Sequence, residues 1–110
     1  MEFPQEVRLK TEQLIAGENI RPLAEAAEKL SLRYREQSGS GKRLVGNTRD
    51  ILAYAAVRMP ATFGAVSRAL ELTLECFDGE ISSVLDAGAG TGAAALAASL
   101  LTGCESVPCL

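Results

Sequence analysis

The sequence predicts a mainly α protein, with a helical N-terminal region over residues 1–79. Over residues 80–110 it predicts the first β-α-β of a Rossmann-like domain, cut short. Three observations lead there. Apolar residues recur at helical spacing through the first region, the pattern then switches to a short β-rich run at residues 81–87, and that run feeds a glycine loop and an alanine-rich segment. A complete nucleotide-binding α/β domain needs roughly 150 residues or more. With 110 residues, the chain is expected to be a fragment that holds only the opening of such a domain.

The elements follow in order. A first helix runs from Pro4 to about Ala16 and ends at Gly17, and a second begins near Pro22, where the missing amide costs nothing. Leu23, Ala26, Ala27, Leu30 and Tyr34 give that second helix one apolar face against Glu25, Glu28, Lys29 and Arg33. Ser38, Gly39, Ser40 and Gly41 read as a flexible connection. Asn47 then caps a helix starting at Thr48, with Asp50 adding charge where the dipole favours it. Pro60 is expected to end or kink that helix. A further helix places Phe63, Val66, Leu70, Leu74 and Phe77 on one stripe and stops at Asp78 and Gly79. After the β-rich run and the loop, residues 93–101 form an alanine-rich helix ending at Gly103, and residues 106–110 begin a second strand.

Composition narrows the function classes. Hydrophobic residues make up 47% and charged residues 23%, the balance of a packed chain and not of a disordered one. Arg58, Arg68 and Glu71 interrupt the apolar stretches well before the ~20 residues of a membrane span. The N-terminus MEFPQEVRLK has no signal-like apolar core, so a cytoplasmic, bacterial-type location is expected. Cys76, Cys104 and Cys109 include no CxxC pair, and the chain has no histidine; they read as reduced, mostly buried thiols with no metal site. The net charge of −3 is unevenly spread. Arg33, Arg35, Lys42, Arg43, Arg49, Arg58 and Arg68 face only Glu36 and Asp50 between residues 33 and 68, and every later charge is acidic.

The most specific local signal is Val84-Leu85-Asp86-Ala87-Gly88-Ala89-Gly90-Thr91-Gly92. Glycine lets backbone approach a ligand and accepts positive φ. A helix that starts after such a loop offers unpaired amides and a positive dipole end. Gly88, Gly90 and Ala93 satisfy the dinucleotide pattern G-x-G-x-x-A. Two details favour S-adenosylmethionine instead. Asp86 suits the cationic amino-acid end of that cofactor, whereas beside a pyrophosphate it would be repulsive. Glycine also recurs through Gly92, giving a D-x-G-x-G-x-G form similar to motif I of class I methyltransferases. The bland alternative is a glycine turn that only packs an alanine-rich helix on a strand. An acidic ribose-binding residue is expected about 20 residues beyond the loop, and none occurs before Leu110, so the fragment should bind cofactor weakly or not at all.

A wider pattern accompanies the loop. Leu52-Ala53-Tyr54-Ala55-Ala56-Val57-Arg58-Met59-Pro60-Ala61-Thr62-Phe63, with Ala65 and Val66, followed by Ser83-Val84-Leu85-Asp86-Ala87-Gly88-Ala89-Gly90, resembles the Rsm22-like family. The likeness covers roughly residues 46–98. It implies a class I methyltransferase fold with an N-terminal helical region, association with the small ribosomal subunit and its rRNA, and a role in ribosome assembly or translation. Asp86, Ala87, Gly88, Ala89, Gly90, Thr91 and Gly92 would then line the cofactor pocket. Some family members carry a cysteine cluster for iron–sulfur binding in a later part of the chain, which Cys76, Cys104 and Cys109 do not match.

Lys42, Arg43, Arg49, Arg58 and Arg68 are the candidate rRNA contacts, read against the alternative of solvated helix faces. For Arg58, a structural role at the helix end stands beside an RNA role. Three functions compete: a methyltransferase docked on rRNA, a nicotinamide-dependent oxidoreductase, and a non-catalytic ribosome-assembly factor that keeps the fold. No catalytic residue is identifiable. Exposed strand edges and apolar helix surface would favour a homodimer of the fragment.

Overall fold

A computed structural model describes residues 1–37 and 47–110, and the side chains of Tyr34 and Gln37 are outside that description. The expected connection at residues 38–41 lies outside the described residues, as do Lys42 and Arg43. The protein is mainly helical: α1 (Gln5–Ile15), α2 (Ile20–Gln37), α3 (Thr48–Ala53), a π turn (Tyr54–Arg58), α4 (Met59–Glu75) and α5 (Ala93–Thr102). The described chain packs as two compact units, Pro4–Met59 and Met1–Phe3 with Pro60–Leu110. The expected change of pattern at Gly79 and Glu80 therefore falls inside the second unit.

In the first unit, α2 starts at Ile20, two residues before the expected Pro22. Asn19 supplies the reason, because its Oδ1 accepts from Arg21 N–H at 3.3 Å and its carbonyl accepts from Leu23 N–H at 3.4 Å. Pro22 sits in the first turn, where no intrahelical donor is required. Leu30 is fully buried, and Ala26 and Ala27 pack with Ala53 of α3 and half-buried Leu23. Three alanines at this contact let the helices approach closely. Asn47 caps α3 as expected, its Oδ1 accepting from Asp50 N–H at 2.9 Å. Asp50 does more than complement the dipole. Its side chain is only 8% exposed and meets Arg33 Nη2 of α2 at 3.2 Å, an ion pair joining the two helices. With the carboxylate buried, removing Arg33 would take away a charge partner that holds α2 to α3, at a cost of about 1–3 kcal/mol.

Pro60 does not end the helix. Residues 48–75 stay helical because the turn before the proline widens to π, with Met59 N–H donating to Tyr54 O five residues back. A proline ring clashes with the carbonyl four residues earlier and brings no amide. The wider turn accommodates both.

In the second unit, Phe63 of α4 is fully buried and meets the ring of Phe3 edge-on, with centroids 5.4 Å apart. The stripe continues through half-buried Val66, Leu70 and Leu74. Phe77 departs from it. α4 closes at Glu75, with Cys76 and Phe77 amides bonding three residues back to Thr73 and Leu74. The Phe77 ring, 48% exposed, then lies over Gly79, where a Cβ would come within 2.7 Å of it. Ser67 is 1% exposed, and its hydroxyl has no hydrogen-bond partner among the described residues.

The expected β-α-β is corrected. Residues 81–87 and 106–110 form no strand among the described residues; they meet in a single parallel bridge, Asp86 with Cys109. Asp86 N–H donates to Pro108 O, and Leu110 N–H returns to Asp86 O, both at 2.9 Å. Cys104 Sγ, 23 residues on from Ile81, donates to its carbonyl at 3.7 Å, the same offset that separates Asp86 from Cys109. The two segments thus share one parallel register. Ladder bonds close only at its end, since a pair of short segments without flanking strands has little to hold it flat. The cysteines are free, but Cys76 and Cys109 are exposed and Cys104 is half-buried, against the expectation of burial. All three lie at or beyond helix ends, where packing is thin. No helix among the described residues is long and apolar enough to cross a membrane.

Two substitutions test this account. Asn47→Ala removes the α3 cap and should cost about 1 kcal/mol in urea unfolding, whereas Asn47→Ser should cost little. Ser67→Ala removes a buried hydroxyl with no partner, and should be neutral or stabilise by about 1 kcal/mol; a clear loss of stability would mean that the hydroxyl is satisfied.

Candidate functional site

The loop between the bridge and α5 contains all seven residues singled out in the sequence, from Asp86 to Gly92. Its shape comes from three glycines in the left-handed region, Gly88 at φ 76°, Gly90 at 56° and Gly92 at 86°. An L side chain at such angles costs roughly 1–2 kcal/mol. A Cβ at any of the three would meet nothing within 4 Å. Backbone angle, and not crowding by protein, therefore demands glycine here, and the space over the loop is open.

Asp86 fixes this geometry from the front. Its Oδ2 accepts from Ala95 N–H at 3.0 Å, satisfying one amide in the first turn of α5. Gly92 precedes the helix without a side-chain cap of its own, so the cap comes from six residues earlier in the chain. The carboxylate expected to meet a ligand serves the helix through one of its two oxygens. Gly88 and Ala89 amides converge on Leu110 O at 3.0 and 3.1 Å, and Gly92 N–H closes a turn on Ala89 O at 2.8 Å. Ala87, exposed, links the bridge to the loop. Thr91 carries a buried hydroxyl oxygen with no hydrogen-bond partner among the described residues. Behind the loop, Ala93, Ala97 and Ala98 are buried, so α5 seats on small side chains.

The loop combines open glycine positions, a helix start with its positive dipole end and one carboxylate. Such a loop can take a ligand with an anionic group for the amides and a cationic one for the carboxylate.

The candidate RNA contacts are distributed over both units. Arg49 is exposed in the first turn of α3, and Arg58 is half-buried in the π turn, both in the Pro4–Met59 unit. Arg68 belongs to the other unit and pairs with Glu71 at 3.6 Å. Lys42 and Arg43 lie outside the described residues. Neither the Arg33–Asp50 pair nor the main-chain bonds of Pro108 and Leu110 follow from spacing along the sequence. A signal for the pair was present, as opposite charges near the two ends of the connection; main-chain bonds leave no side-chain signature. No group of three or more metal-binding side chains occurs among the described residues. No known protein family, curated protein or solved structure matches the chain.

The loop geometry is testable. Gly90→Ala should destabilise the protein by about 1 kcal/mol, the backbone penalty outweighing the entropy lost from the unfolded chain. Asp86→Ala should raise amide exchange at Ala95 while leaving Ala53 in α3 unchanged; equal exchange at both sites would show that Asp86 does not cap α5.

Proposed function

We propose that this chain carries the S-adenosylmethionine-binding opening of a class I methyltransferase-type protein that works on the small ribosomal subunit. One observation carries the reading. A D-x-G-x-G-x-G run places three alternate residues, all glycine, in the left-handed region, between a parallel bridge and the start of a helix. The parallel register of residues 81–86 with 104–109 suits the first crossover of a Rossmann-like sheet.

The residues fit the cofactor. Open space at Gly88, Gly90 and Gly92 admits its amino-acid portion close to the backbone. The first turn of α5 attracts a carboxylate, and Asp86 attracts an ammonium. When bound, the cofactor supplies an activated methyl group; this chain's part is to hold and orient it. The acidic Asp86 beside the loop favours this ligand over a dinucleotide pyrophosphate.

The ribosomal part of the proposal draws on the AYAAVRMPATF segment and on charge. Counted over the sequence, residues 4–59 carry ten of the eleven Lys and Arg against seven acids, a balance of +3. The remainder carries Arg68 against seven acids, a balance of −6. A polyanion such as rRNA would meet the helical unit favourably and be repelled from the loop unit.

Millimolar S-adenosylmethionine should shift the backbone NMR signals of residues 86–94 and leave those of Leu23 and Ala53 unmoved, with NAD giving no such pattern. Equal shifts with NAD, or none in the loop, would overturn the cofactor assignment. Binding of a fluorescent RNA hairpin should weaken steeply between 50 and 200 mM salt, as phosphate contacts require. Arg49→Ala should lower the affinity several-fold and Arg68→Ala should not; the reverse order would remove the helical unit as the RNA-facing surface.

A further inference from the structure

We draw no further inference here: the strongest candidate, the exposed apolar patch of Ile81, Leu85 and Leu110 flanking the parallel bridge, carries nothing because nothing in the structure shows what covers it.

Discussion

Asp86 ties together the three pieces of chain on which the candidate site depends. Its backbone bonds to Pro108 and Leu110 on one side, and its carboxylate takes the Ala95 amide of α5 on the other. The glycine loop spans the gap between these two attachments. Without the side-chain bond, α5 would begin with its amides unmet and no cap from Gly92. Without the backbone bonds, the residues before the loop would have no fixed direction. One residue thus sets both where the loop starts and where the helix after it points.

The loop itself spends conformational freedom. Three left-handed glycines in five residues are costly to order, since glycine loses more backbone entropy than any other residue. Tight packing does not compensate, as the space at each Cβ position is empty. Such an arrangement makes physical sense where backbone must lie open to something other than protein.

Elsewhere the protein relies on small contacts. Alanines carry much of the burial, with Ala26, Ala27 and Ala53 in one unit and Ala93, Ala97 and Ala98 in the other. Each contributes little apolar area, so larger side chains such as Leu30 and Phe63 and the Arg33–Asp50 pair carry a disproportionate share of the packing. The π turn before Pro60 shows the same economy, since widening one turn keeps the helix continuous through a residue that would otherwise break it.

The sequence by itself determined the helices, the Asn47 cap and the need for glycine at Gly88, Gly90 and Gly92. Each depends on interactions within a few residues: apolar spacing, a side chain reaching amides three positions on, or the sterics of a single φ angle. Only the tertiary structure decided the rest. Residues 81–87 and 106–110 have strand-like composition yet close only one bridge, because strand formation depends on partners far along the chain. Asp86 was legible as a loop carboxylate but not as the cap of α5, nine residues from the amide it holds. Phe77 left its stripe because the helix closed early and the ring found Gly79. Arg33 found Asp50 only once α2 and α3 had packed, since a pairing between separate elements is fixed by their approach and not by the spacing of residues along the chain.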